Sequence, residues 1–341
     1  MLTVNAPITL KNLPAPPPNK TGWPWTEASQ PLPVNMPNSK PWPKISIVTP
    51  SYNQGEFIEE TIRSVLLQGY PNLEYIIMDG GSTDQTQKIL ERYKPWLSYV
   101  VSEPDRGQSD AINKGFAHAS GFVRGYLNSD DVFLPEALNQ VGAIAAEHSQ
   151  QPIIVAGNAL MCCESLSNVY ATCRPTPPKN LTDAIKMEGI FPQPATFWTQ
   201  PTSQAELTFN PNLVFCMYRE FWLKLLQIGY KIITIDRALA FYRHHKEAKG
   251  TANTGFFWSE KAGLALSNME YLDSLENKLS VARTSQDQIR QYFRVVVRQI
   301  IETDGKNTAL KALFKICLAN PSMILERSTL GLIKQLLLGK F

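Results

Sequence analysis

The 341-residue chain is 43% hydrophobic and carries a net charge of +3, enough core for two domains or one α/β domain with additions. So small a charge, with no dense Lys/Arg block, excludes a nucleic-acid-binding surface. Cys162, Cys163, Cys173, Cys216 and Cys317 form no C-x-x-C pair or disulfide framework, there is no secretory signal, and no run of about 18 apolar residues occurs, so a cytoplasmic protein with reduced thiols and no membrane span is expected.

Residues 1–43 stand apart in composition. Ten prolines between residues 14 and 43 exclude regular helix and impose extended backbone. Trp23, Trp25 and Trp42 are costly to leave in water, so this arm is expected to lie against the domain that follows. From Lys44 the pattern alternates. Strands are predicted at 45–49, 73–78, 97–101, 125–127 and 153–157, and helices at 56–68, 84–93, 109–118 and 135–147. Such alternation predicts a largely parallel sheet with crossover helices on both faces. Residues 160–215 are irregular, 219–228 read as a helix and 231–242 as one or two strands. Beyond about residue 255 only helices are expected, at 256–275, 285–302, 306–318 and 321–338.

Polar loops follow the predicted strands, at the sheet edge where open α/β folds bind ligands. The first, Thr49-Pro50-Ser51-Tyr52-Asn53-Gln54-Gly55, is not a G-x-G-x-x-G turn, which argues against a dehydrogenase. The second is Asp79-Gly80-Gly81-Ser82-Thr83-Asp84. Its glycines permit a tight turn, Asp79 suits a base N–H, and Asp84 suits a helix cap. In the third, Glu103-Pro104-Asp105-Arg106-Gly107, Arg106 suits a phosphate. The fourth is Asn128-Ser129-Asp130-Asp131. Adjacent carboxylates repel, and sharing Mg²⁺ or Mn²⁺ completed by substrate phosphates resolves that. The other reading of Asp130 or Asp131 is a cap for the helix beginning near Pro135.

The segments PKISIVTPSYNQGEFIEETIRSVLLQGYPNLEYIIMDGGSTD, EPDRGQSDAINKGF and LNSDD, in that order, resemble a family 2 glycosyltransferase over about residues 44–250. The resemblance implies a GT-A fold, with a nucleotide-sugar-binding half at 44–158, an acceptor-side half at 159–250 and a helical region at 251–341. It further implies a nucleotide-sugar donor, most simply a UDP-sugar, inversion at the anomeric carbon, and Mn²⁺ or Mg²⁺ as cofactor. By position, Pro50, Ser51, Tyr52, Asn53, Asp79, Gly80 and Ser82 would hold the nucleoside, with Arg106 at phosphate. Asp130 and Asp131 would serve the metal and the donor diphosphate, with Asn128 at the first D-x-D position. Gln193-Pro194-Ala195-Thr196-Phe197-Trp198 resembles the acceptor-lining segment. Tyr242-Arg243-His244-His245 resembles a late R-x-H element whose His245 would complete the metal shell; the alternative is a solvent-facing His245 in a basic cluster.

One departure from the family pattern bears on catalysis. The acidic residue that serves relatives as base for the acceptor hydroxyl falls at Tyr218, and a phenol with a pKa near 10 is a poor base at neutral pH. Glu220 lies two residues on, a helical rotation of roughly 200°, and is expected to act as base only if the helix start shifts. Another carboxylate, or loss of transfer, are the remaining options. No Q-x-x-R-W element accompanies a membrane span, so single-sugar transfer to a glycan or lipid-linked acceptor is favoured over polymerisation. Ile324, Leu330, Ile333, Leu337 and Phe341 share one helical face, for packing on protein or for peripheral contact with the inner face of a membrane. The rival classes are a nucleotide-sugar-binding protein without transfer and a nucleotidyltransferase; the latter needs a Gly-rich loop with a basic residue, absent at 49–55.

Overall fold

The computed structural model describes residues 7–149, 151–186, 189, 191–203, 205–246 and 254–304, with backbone alone at 254–256, 258 and 290–304. The chain divides into two compact units, Met1–Lys179 with Gly189–His245, and Asn180–Glu188 with Lys246–Phe341. In chain order the elements are β1 (Ile45–Ser51), α1 (Ile58–Leu66), β2 (Leu73–Asp79), α2 (Thr86–Tyr93), β3 (Tyr99–Ser102), α3 (Gln108–Ala117), β4 (Val123–Tyr126) and β5 (Val132–Phe133). There follow α4 (Ala137–Glu147), β6 (Ile153–Cys163), β7 (Val169–Cys173), α5 (Leu181–Ile185), β8 (Thr196–Thr199), α6 (Met217–Gln227), β9 (Lys231–His244), α7 (Thr254–Ser267) and α8 (Leu275–Asp304).

All the strands join one sheet in the order β3-β2-β1-β4-β8-β6-β9-β5, with β7 paired to β6. The first four strands are parallel, as the alternation predicts. Parallel order stops at β4, because β8 enters beside it and runs antiparallel to both β4 and β6. The sheet is therefore mixed, with β9 parallel to β6 and β5 antiparallel to β9. The sequence does not predict the short β5, β7 and β8, because no alternation or apolar run sets them off from the irregular stretches around them.

Two cores follow from the two-residue period of the strands. Ile45 and Ile47 of β1 and Tyr75 and Ile77 of β2 face one cluster, with Ile58, Ile62 and Val65 of α1 and Leu138 and Val141 of α4. Val48, Ile76 and Met78 face the other, with Ile112 of α3 and Phe221, Trp222 and Leu225 of α6. There the Phe209 and Phe221 rings stack at 4.1 Å, and Phe221 meets Trp198 of β8 edge-on at 4.9 Å. Truncating such a buried ring costs about 3–5 kcal/mol. This aromatic cluster fixes α6 against the sheet.

The charged face of α1 is buried as well, which amphipathic patterning alone would leave in water. The N-terminal arm covers it. The Arg63 guanidinium donates to the carbonyls of Pro14, Pro24 and Trp25 at 2.9–3.0 Å and to the Tyr93 hydroxyl at 3.0 Å. Trp25 is buried, and the Trp23 indole donates to the Phe133 carbonyl at 2.7 Å. At Gly69 (φ +67°), a Cβ would stand 2.8 Å from the Gln30 carbonyl oxygen, so only glycine lets the arm pass so close.

In the second unit α7 packs on α8, and the Gln288 amide donates to the Lys186 carbonyl just past α5 at 3.3 Å. The predicted helices 306–318 and 321–338 lie outside the described residues. Among the described residues no helix is long and apolar enough to cross a membrane.

Candidate functional site at the carboxyl edge of the sheet

Asp79, the last residue of β2, is buried and organises three loops. Its carboxylate accepts from Ser82 N at 2.9 Å, Ser82 Oγ at 2.5 Å and Ser102 Oγ at 2.5 Å. A carboxylate has about four acceptor positions, so one direction remains for a further donor. Ser82 Oγ also accepts from Asn53 N at 2.7 Å, and Asn53 Oδ1 accepts from Thr83 N at 2.8 Å. Asn53 takes a left-handed φ of 51°, a conformation asparagine tolerates. Ser82 and Asn53, expected to touch a nucleoside, thus chiefly tie the loops after β1 and β2 together.

The same edge carries unmet polar groups. Ser51 Oγ and Gln54 Oε1 are buried without a hydrogen-bond partner. Pro50 lies within β1, and the Tyr52 ring beyond it is 61% exposed. A Cβ at Gly80 would meet Asp105 Oδ2 at 2.7 Å, so the Asp105 side chain sits close against this turn. Asp84 accepts from Thr86 N at 2.9 Å and Gly55 N at 2.8 Å, holding the start of α2. Burial alone would raise its carboxyl, but the bonds to it together outweigh burial and hold the group below the ordinary range. Arg106 is exposed and ion-paired with Asp110 at 2.9 Å; no contact draws it to the acidic turn.

That turn, Asn128 to Asp131, closes with Asp131 N donating to the Asn128 carbonyl at 3.1 Å. Thr61 Oγ1 of α1 pins it from behind, sharing its proton between the carbonyls of Ser129 and Asp131 at 2.9 and 2.7 Å. Neither aspartate caps α4, whose N-cap is Glu136, so the capping alternative falls. The two carboxylates then diverge. Asp131 is buried, with Oδ1 accepting from Arg243 N at 2.9 Å and Oδ2 from Asn128 Nδ2 at 3.4 Å. Burial, and then the charge of Asp130, push its carboxyl well above the ordinary range despite those bonds. Asp130 Oδ2 instead meets His245 Nε2 at 3.0 Å. His245 is buried, its ring 4.7 Å from Phe57, and so is not the solvent-facing residue of the alternative reading.

Among the described residues no three of His, Cys, Asp and Glu gather to hold a metal by themselves. The three expected ligands are not assembled, because Asp131 turns inward to Arg243 and Asn128. The remaining pair, a carboxylate and an imidazole, still fits a divalent cation whose other positions are filled by phosphate oxygens and water. The Arg243 guanidinium pairs with the Glu60 carboxylate and meets Asp130 at its main-chain carbonyl, so it does not occupy the Asp130 carboxylate. Asn128 Oδ1, expected to offer an oxygen, accepts from Gln108 Nε2 at 2.6 Å, while its Nδ2 donates to Gln193 Oε1 at 2.9 Å. The acceptor-type segment 193–198 therefore reaches the turn through Gln193.

The expected base is not at this turn. The helix α6 begins at Met217, so no shifted start brings Glu220 round. Glu220 pairs with Lys224 at 2.7 Å, and its other oxygen is buried without a partner. Burial raises the phenols of Tyr126 and Tyr242, and Tyr218, on the opposite side of α6, lies close enough to add to both shifts, as does Asp131. Sequence reasoning missed Glu60, Thr61 and Gln108, which look like ordinary helix-surface polars until the fold sets them against the turn.

A family model described as glycosyl transferase family 2 matches residues 46–165. The glycosyltransferase TuaG of Bacillus subtilis (strain 168) is 31% identical over 209 residues, covering 59% of this chain and 79% of TuaG. The S. aureus TarS 1–349 structure in complex with UDP-GlcNAc superposes with a TM-score of 0.53 at 18% identity, covering 76% of this chain and 73% of that one. The mannosyltransferase PcManGT of Pyrobaculum calidifontis, in complex with GDP-Man and Mn²⁺, gives 0.50 at 16% identity over 89% and 92% of the two chains. These two likenesses establish the GT-A fold. With the family match over its first parallel strands and the extended kinship to TuaG, the chain belongs to glycosyltransferase family 2.

Proposed function

We propose that the chain moves one sugar from a UDP-sugar to an acceptor hydroxyl, with inversion, aided by Mn²⁺ or Mg²⁺. One observation carries this reading: the partly satisfied polar cluster of Ser51, Gln54 and Asp79 and the Asp130–His245 pair share one sheet edge. The open acceptor direction on Asp79 suits the uracil N–H, Ser51 Oγ and Gln54 Oε1 offer partners to the nucleoside, and the exposed Tyr52 ring offers a stacking face. The neighbour with UDP-GlcNAc supports a UDP donor, and the neighbour with Mn²⁺ supports a cation.

Asp130 Oδ2 and His245 Nε2 would hold the cation, which when bound neutralises charge on the leaving diphosphate. As a ligand Nε2 would carry no proton, so the cation would replace the direct contact between His245 and Asp130. Asp131, held by Arg243 N, keeps the turn in shape. Gln193, fixed by Asn128 and donating to the Tyr126 carbonyl at 3.0 Å, borders the acceptor side. A glycan or lipid-linked sugar on the cytoplasmic side of a membrane is the acceptor class this reading carries.

A second reading, donor binding without transfer, draws support from α6, where Tyr218 rather than a carboxylate faces the site. Calorimetric titration with UDP, GDP and dTDP, with and without Mn²⁺, tests the donor site, and a product assay with acceptors tests the second reading. Tight Mn²⁺-dependent binding of UDP alone is expected. No binding of any nucleotide would remove the donor site, and product formation with any acceptor would remove the second reading.

A further inference from the structure

We infer that Trp25 of the N-terminal arm and Glu60 of α1 are positioning residues for the Asp130–Asp131 turn, acting through Arg243. Glu60 is buried and both its oxygens are engaged: Oε1 accepts from Trp25 Nε1 at 2.9 Å, and Oε2 from Arg243 Nη2 at 2.5 Å. Arg243, also buried, passes the constraint on. Its Nε donates to the Asp130 carbonyl at 2.8 Å, its backbone N to Asp131 Oδ1 at 2.9 Å, and its Nη1 to the Glu164 carbonyl at 2.6 Å. The guanidinium carbon lies 4.9 Å from the centre of the Phe57 ring, whose other neighbour, at 4.7 Å, is His245. Both halves of the Asp130–His245 pair therefore rest on groups that Arg243 touches.

The arm holds Trp25 in place at two further points. Arg63 Nη2 donates to the Trp25 carbonyl at 2.9 Å and the guanidinium lies 5.3 Å from the indole centre. Trp23, two residues earlier, bonds the Phe133 carbonyl two residues after Asp131. The turn is thus gripped on both sides by a segment that precedes the sheet. A buried carboxylate selects one orientation of a buried guanidinium, because any other leaves charge unpaired. The indole N–H completes Glu60 by filling its second oxygen. Outer partners of this kind set ligand orientation, and their loss typically weakens metal affinity by about 10–100-fold.

The inference rests on the donor and cation reading of Asp130 and His245, and the test separates the two. Trp25→Phe keeps the ring and removes only the N–H; Glu60→Gln keeps the shape and removes the charge. UDP affinity is measured by calorimetry with and without Mn²⁺ for the native chain, each variant and the double variant, beside the thermal unfolding midpoint. The expected result is a loss of about tenfold in Mn²⁺-dependent UDP affinity for each variant. UDP binding without metal stays within about twofold, and the double variant is no worse than Glu60→Gln, as expected of residues acting in one chain of contacts. Unchanged Mn²⁺-dependent affinity in both variants overturns the inference. So does a parallel fall with and without metal, which marks a purely structural role, and so does an additive double variant. If the native chain itself shows no Mn²⁺ effect, the cation reading fails and the inference falls with it.

Discussion

Ser82→Ala isolates the link between loop architecture and donor binding. Ser82 Oγ donates to Asp79 Oδ1 at 2.5 Å and accepts from Asn53 N at 2.7 Å, so the loops after β1 and β2 share one hydroxyl. A bond to a charged acceptor contributes about 1.5–3 kcal/mol and a neutral one about 0.5–1.5. Losing both in a buried setting is expected to cost about 2–4 kcal/mol, since Ser82 is only 1% exposed and water cannot readily replace the hydroxyl. For a unit of this size that lowers the unfolding midpoint by at least about 4 °C. The freed Asn53 loop would also weaken UDP binding by about tenfold, with or without Mn²⁺, because the loops around Asp79 and not the acidic turn are disturbed. Calorimetric melting and titration read both. A midpoint shift below about 1 °C with unchanged UDP affinity would refute the bridging role.

Asp130→Asn should reduce Mn²⁺-dependent UDP affinity at least tenfold while metal-free UDP binding holds; loss of both alike would show the turn is not where the cation acts. Glu220→Gln should leave turnover within about twofold, since Glu220 pairs with Lys224 rather than facing the turn; a fall approaching the 10²-fold value of a general base would restore it to the mechanism. Tyr218→Asp, which supplies a carboxylate on the side of α6 facing Tyr126 and Tyr242, should raise turnover by about tenfold or more, and an unchanged rate would mean that proton removal is not limiting. Glu74 is buried yet bonded by Lys44, Ser46 and Ser120, and the bonds outweigh burial to hold its carboxyl below the ordinary range. Its contribution is therefore present above the unfolded carboxylate pKa of about 4.3 and lost as pH falls through the lower folded value. Denaturant midpoints of Glu74→Gln should fall less between about pH 5 and pH 3 than those of the native chain, and parallel curves would refute the assignment.

The first four strands were legible because each alternates or runs apolar between polar loops, and their loops carry the residues that matter. The positions of Asp79 and Asp130 at strand ends could be read this way, whereas the bonds by which Asp79 ties its loops together could not. Asp131 was legible as a carboxylate but not as one turned inward, because that depends on Arg243 in β9, 112 positions away. Glu60 was hidden for the same reason: its guanidinium partner lies 183 positions on. The strand β8 escaped because Thr196–Thr199 is four residues long and follows two prolines, so it resembles a loop until β4 and β6 pair with it. Glu220 is the nearest acid in sequence to Tyr218, but the phase of α6 decides which side chain meets the site.

The buried Arg63 has a practical consequence for anyone dividing this chain. The family match starts at residue 46, which invites expression from that point. Three of the carbonyls that receive the Arg63 guanidinium belong to Pro14, Pro24 and Trp25. A fragment beginning at residue 46 would strip those acceptors from a cation seated against α2 and bare the apolar ground beneath Trp25, inviting aggregation. A fragment meant to keep all three of these contacts has to begin before Pro14, some thirty residues ahead of the recognisable family segment.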